Sequence, residues 1–139
     1  MLGTWSPGQV RLAMLDGSGA LVFAQEDVRG YDVKDSVNAK VGEVDDLVID
    51  VETGGVRMLM VGSGGLLGIG RDHRLVPTDV VENIAGATIF LTTTRPQIER
   101  TPTWGDIDGE IFLSEVYDHY GCQPFWSEGY QEPDWTRSE

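Results

Sequence analysis

The stretch that decides the fold is Val41-Gly42-Glu43-Val44-Asp45-Asp46-Leu47-Val48-Ile49-Asp50-Val51, then Glu52-Thr53-Gly54-Gly55, then Val56-Arg57-Met58-Leu59-Met60-Val61. β-Branched and aliphatic residues fill both runs, and such side chains pack well on a pleated surface but lose χ1 freedom in a helix. The four residues between them carry adjacent glycines, which supply the positive φ that a tight hairpin needs. The pattern predicts two long antiparallel strands. Along the first, Val44, Asp46 and Val48 share one face by period two, and Leu47, Ile49 and Val51 share the other. Apolar residues on both faces imply a closed or two-layered sheet.

Outward from this hairpin, residues 20–23 and 31–33 read as short strands. On the other side, a glycine-rich connection over 62–70 leads into Arg71-Asp72-His73-Arg74-Leu75-Val76-Pro77, a strand that Pro77 ends. Thr78 or Asp79 is placed to cap one helical turn through Val80 and Val81. Residues 87–92 form a further strand and 94–99 a short helix. The chain thus divides into an arm over 1–19, loosely attached, a β domain over 20–100, and an extension over 101–139. In that extension Leu113, Val116, Tyr117 and Tyr120 match helical spacing, so a helix near 110–120 is expected, ended by Gly121.

Charge separates the extension from the rest. The 139 residues hold 10 Lys and Arg against 23 Asp and Glu, a net −13. Residues 101–139 carry nine acids and one base, and eight of the twelve aromatics. An aromatic-rich acidic segment packs on something rather than remaining merely solvated. An acidic surface repels phosphate backbones and anionic lipid, so nucleic acid and membrane surfaces are disfavoured as partners, while apolar or basic protein surface is favoured. One cysteine, Cys122, excludes an internal disulfide and fits a reducing compartment. Neither a leader-like stretch nor about 20 consecutive apolar residues is present, and a cytoplasmic location without membrane insertion is expected.

Motifs that carry chemistry fail on spacing. A dinucleotide fingerprint starting at Gly62 needs glycine where Leu67 stands, and Lys34 and Lys40 are too distant for a P-loop. Residues 35–40 lack oxygen ligands at Val37 and Ala39 for a calcium loop and read as a hairpin turn. His119 and Cys122 offer two metal ligands where a closed zinc site needs four. The carboxylates Glu43, Asp45, Asp46, Asp50 and Glu52 alternate between strand faces and read as a solvated edge. No catalytic constellation emerges, and neither a metal nor a cofactor is expected.

Gly30-x-x-Val33-x-Asp35, Val41-Gly42-x-Val44-x-Asp46-Leu47-Val48-Ile49-Asp50, Thr53-Gly54-x-Val56, Gly64-Gly65-Leu66-Leu67-Gly68 and Val76-Pro77 together resemble the PRC-barrel family over about residues 20–100. That resemblance implies a small, strongly bent antiparallel β-barrel, here followed by a short C-terminal helix and an aromatic tail, with no common catalytic residue to carry over. The family includes the cytoplasmic domain of the photosynthetic reaction centre H subunit, a domain of a ribosome-maturation factor, and small stand-alone proteins. Residues 117–126, Tyr-Asp-His-Tyr-Gly-Cys-Gln-Pro-Phe-Trp, look like the ending of some stand-alone members. Asn38 stands where many members have glycine, a mild change because asparagine tolerates positive φ.

The expectation is a non-enzymatic interaction or assembly module that pairs with itself as a homodimer or with another protein. The expected contact residues are Leu66, Leu67 and Ile69 of the glycine-rich connection and Tyr117, Tyr120, Phe125 and Trp126 of the extension. Two alternatives stand beside it. One is an accessory role in photosynthetic electron transfer or ribosome assembly, implied by the resemblance. The other is a metal- or ligand-binding enzyme around His119 and Cys122.

Overall fold

The computed structural model describes residues 12–14, 24–50, 53–64, 71–102 and 110–136. The protein is mainly β. Among the described residues seven strands form one sheet: β1 (Leu12–Met14), β2 (Asp32–Lys34), β3 (Lys40–Asp50), β4 (Val56–Ser63), β5 (Asp72–Pro77), β6 (Val81–Ala85) and β7 (Thr88–Leu91). Among the described residues two α-helices follow, α1 (Arg95–Glu99) and α2 (Glu110–His119).

The spine is the hairpin of β3 and β4, in register from Glu43 opposite Gly62 to Ile49 opposite Val56. Between them the Gly54 N–H donates to the Asp50 carbonyl (2.7 Å) and the Asp50 N–H to the Gly55 carbonyl (2.9 Å), with Gly54 at φ +77°. Two irregularities interrupt the ladder. Asp45 is the extra residue of β3 where the partners step from Val44–Val61 to Asp46–Met60, and Arg57 is the extra residue of β4 where they step from Val48–Met58 to Ile49–Val56. Such bulges sharpen the local bend and twist. Between them the simple alternation fails, and Asp46, Leu47, Val48, Ile49 and Asp50 are all buried in succession. The bend is what lets one strand bury both faces.

Strand order is β5-β4-β3-β2-β7-β6, with β1 paired to the far end of β3. Neighbours run antiparallel except β2 and β7, which pair in parallel from Asp32 opposite Thr88 to Lys34 opposite Phe90. That pair departs from the all-antiparallel expectation. Among the described residues no ladder joins β6 to β5, and these two strands are linked instead by a 3₁₀ turn over Thr78–Val80. No side chain caps that turn, contrary to the role expected of Thr78 or Asp79; the residue ahead of it is Pro77, in extended conformation.

The segment read as a loose arm contributes β1 to the sheet. Residues 20–23, expected as a strand, lie outside the described residues, whereas β6, unread in the sequence, pairs with β7. The core draws Leu47, Ile49, Met58, Leu59, Leu75 and Ile89 from the sheet, all at most 1% exposed, and Ile98, Leu113, Val116 and Tyr117 from the helices. Helix α1 begins at Thr94, whose side chain accepts the Gln97 N–H. Its first turn is tied to the turn between β2 and β3 by Asp35, whose Oδ2 accepts the Arg95 N–H at 2.8 Å.

Candidate functional site

Two polar clusters bracket the β3–β4 spine, and each is built on one of its bulge residues. The first lies where Glu43, Gly62 and His73 stand abreast on β3, β4 and β5, beside Asp45. Gly62 leaves a gap that two side chains fill. A Cβ at this position would fall 2.0 Å from Asp45 Oδ2 and 2.5 Å from Arg71 Nε, so only glycine fits. Arg71 donates from Nε to Asp45 Oδ2 (2.6 Å), from Nη2 to Glu43 Oε1 (2.7 Å), and to the carbonyls of Gly62 (3.0 Å) and Gly64 (3.1 Å). His73 Nε2 lies 2.9 Å from the same Asp45 Oδ2.

Burial alone would push the Asp45 carboxyl up. The bonds from Arg71 and His73 outweigh it and hold the group below the usual carboxylate range, while the Arg71 guanidinium is raised chiefly by Asp45. Of the carboxylates read as a solvated edge, Glu43, Asp45, Asp46 and Asp50 have structural places, and Glu52 lies outside the described residues. Glu43 and Asp45 clamp Arg71, and Asp46 and Asp50 are buried at 6% and 5% exposure. A guanidinium held by two carboxylates and two carbonyls is not free to receive an anion, and an ionised Asp45 bonded to both Arg71 and His73 is a poor base.

The second cluster forms the seam where the C-terminal extension crosses the sheet. Arg57 of β4 donates from Nη1 to Glu132 Oε1 (2.8 Å), lies 3.9 Å from Asp50, and sits 4.6 Å over the Phe125 ring. The Tyr130 hydroxyl donates to Asp79 Oδ2 at 2.8 Å. Tyr117 and Trp126 meet edge to face with centroids 5.8 Å apart, and Phe125 and Trp126 do so at 5.4 Å. Three polar atoms in the seam are buried without a hydrogen-bond partner among the described residues: Arg57 Nε, Asp79 Oδ1 and the Tyr117 hydroxyl. Burial drives Asp79 and Tyr117 toward their neutral forms. It raises Asp79, against the opposing bond from Tyr130, and lifts Tyr117 well above the ordinary phenol value with help from the Asp79 charge. Beside the seam, a cleft of about 490 Å³ opens between the β3–β4 turn and the end of the extension, lined by Glu26, Gly55, Arg57, Glu132, Asp134 and Trp135.

The expected contact residues are distributed unevenly. Leu66, Leu67 and Ile69 lie outside the described residues. Tyr117 and Tyr120, expected to meet a partner, are packed into this chain's own core at 1% and 8% exposure, because α2 turns its apolar stripe onto the sheet. Phe125 and Trp126 are partly buried against that core and keep some surface. Arg57, Asp79, Tyr130 and Trp135, which organise the seam, are not singled out by spacing. Their sequence separations exceed any local motif, although Tyr130 and Trp135 are visible among the tail aromatics.

His119 and Cys122 do not converge on a common ligand. His119 Nε2 lies 2.6 Å from the Gln97 carbonyl, and the Cys122 thiol points at the Tyr120 carbonyl at 3.7 Å. Burial, then the Asp79 charge, pushes that thiol up to about 11, so it is protonated at neutral pH and weakly nucleophilic. Among the described residues, no three His, Cys, Asp or Glu side chains are grouped to hold a metal ion. Nor is any helix among them long and apolar enough to cross a membrane.

A bulge-bent β domain with a clamped arginine and an aromatic cover defines a small β module. The PRC-barrel domain family matches residues 21–96, more than half of the chain, and the protein belongs to that family. No curated protein matches it.

Proposed function

We propose that this PRC-barrel chain is a non-enzymatic protein-interaction or assembly module, and that it associates with itself. The observation that carries the reading is the engagement of its reactive side chains. Arg71, Asp45 and Glu43 hold one another, His119 is bound to the Gln97 carbonyl, and Cys122 is protonated at neutral pH. Phe125 and Trp126 meanwhile keep partly open aromatic surface, the kind of side chain that anchors protein contacts. The partner surface that suits them is apolar at its centre. Around it, the extension's net −8 favours a basic rim on a foreign partner, and for a second copy requires salt to screen the repulsion.

Sedimentation velocity of the whole chain from micromolar to millimolar concentration tests this. A reversible dimer is expected, tightened by added salt. Trp126→Ala should weaken it by roughly 2 kcal/mol if Trp126 is central to the contact. A chain that stays monomeric throughout the range at high salt would overturn self-association, and a turnover assay dependent on His119 or Cys122 would overturn the non-enzymatic reading.

A further inference from the structure

We propose that the cleft between the β3–β4 turn and the end of the extension receives a basic peptide segment of a partner protein. An arginine or lysine side chain enters the cleft, and an adjoining peptide carbonyl accepts the Trp135 indole N–H. This rests on the interaction-module reading above, not on its self-association half, and names the chemistry of the partner. The cleft, of about 490 Å³, has Glu26, Thr53, Arg57, Glu132, Asp134 and Trp135 in its lining. The one cation among these is already matched, because Arg57 lies 2.8 Å from Glu132 and 3.9 Å from Asp50. The charge left over is negative. Glu26 accepts only the neutral Val56 N–H (3.1 Å), and Asp134, which is exposed, has no hydrogen bond or ion pair among the described residues.

Carboxylates alone attract any cation loosely, and Trp135 is what makes the cleft selective. It is only 4% exposed and lines the same cleft, yet among the described residues its indole N–H has no acceptor. Nor is that N–H sealed from solvent, as the partnerless Arg57 Nε, Asp79 Oδ1 and Tyr117 hydroxyl are. A donor held in a mostly buried ring without an acceptor gains when a ligand oxygen reaches it. Indole is also the aromatic group that best favours a neighbouring guanidinium or ammonium. A basic peptide supplies both complements, a cation for Glu26 and Asp134 and a carbonyl for Trp135, whereas a bare amine or guanidinium supplies only the first. With this chain at net −13, a basic segment of a foreign protein matches the cleft better than a second copy does.

Titrating the nitrogen-15-labelled whole chain with acetyl-Gly-Gly-Arg-Gly-Gly-amide tests this by nuclear magnetic resonance. The Trp135 indole N–H signal, assigned by its loss in Trp135→Phe, should move on binding, and the same peptide with citrulline for arginine should bind at least tenfold more weakly. Glu26→Gln, which keeps the acceptor for Val56, combined with Asp134→Asn should weaken binding about tenfold, two modest ionic contacts together. Should the double variant fold poorly, Asp134→Asn alone still gives a loss of about threefold. Neutralising two exposed acids of α2 instead, Glu115→Gln with Asp118→Asn, removes the same net charge and should leave binding nearly unchanged. An equal loss in that control would reduce the effect to unspecific attraction and overturn the site, as would an unmoved Trp135 signal or equal binding of the citrulline peptide. Methylguanidinium binding as tightly as the peptide would overturn the carbonyl contact and with it the peptide as occupant. None of these results touches self-association, which sedimentation decides separately, or the non-enzymatic reading, which the turnover assay decides.

Discussion

The carboxylate of Asp35, in the turn between β2 and β3, accepts the backbone N–H of Arg95 in α1 at 2.8 Å, across 60 residues of chain. Its other oxygen accepts the N–H groups of Val37 and Ala39 at 3.0 and 2.8 Å, and Asn38 between them sits at φ +70°. One buried side chain thus organises the turn and docks the helix. A residue set that reads locally as a hairpin turn is also a tertiary tie.

Asp35→Ala should therefore cost about 2–4 kcal/mol in urea unfolding, since it leaves three N–H groups without their acceptor. The pH dependence has a definite sign. Burial pushes Asp35 up, but the bonds from Ala39, Arg95 and Val37 outweigh it, so its folded value lies below 3.8. Its contribution is present above that unfolded value and is lost as pH falls through the lowered one. An Asp35→Asn variant whose stability falls with acid as steeply as the wild type would refute the assignment.

Gly62→Ala places a methyl group on the Asp45–Arg71 pair and should destabilise by about 2–4 kcal/mol, well above the ordinary cost of this exchange in a strand. Combining it with Asp45→Ala removes the obstructed carboxylate. A double-mutant cycle should then show strong coupling; additive effects would mean that the pair tolerates the methyl group by shifting aside.

Asp79 is expected to behave oppositely to Asp35. Burial raises its folded value above 3.8, so the protonated form is favoured in the fold, and the associated stability is lost as pH rises through that raised value. Asp79→Asn keeps an acceptor for Tyr130 and removes the charge that burial penalises. With solvent screening at this partly open site, the gain at neutral pH should be below about 1 kcal/mol. A clear loss of thermal stability in the variant would show that the carboxylate charge is compensated.

Cys122 should react slowly with iodoacetamide near neutral pH, with a rate that climbs as pH approaches about 11, following burial of the thiol first and the Asp79 charge second. Asp79→Asn should bring the rise to lower pH. Rapid labelling at neutral pH would contradict the geometry.

Much of the framework was legible in the order of residues. The Val41–Val61 run with Gly54 and Gly55 specified a hairpin because β-branching and turn glycines act locally, and the 3.6-residue spacing of Leu113, Val116 and Tyr117 specified a helix that buries one stripe. The set of motifs from Gly30 to Pro77 sufficed to place the chain in its family. What could not be read were relationships between distant segments. The parallel pairing of β2 with β7, the docking of β1 on β3, and the bulges at Asp45 and Arg57 depend on long-range ladder geometry, which has no period in the sequence.

The same division holds for the candidate site. Sequence by itself established an acidic, aromatic extension that had to pack on something, since aromatic side chains gain by leaving water. Only the tertiary structure decided which face receives it: Arg57 and Asp79 become partners of Glu132 and Tyr130 because the bent hairpin and the 3₁₀ turn bring them beneath the chain that leaves α2 at Gly121. Hydrogen bonds and ion pairs act over a few ångströms, so their partners are chosen by where the backbone folds back, not by distance along it.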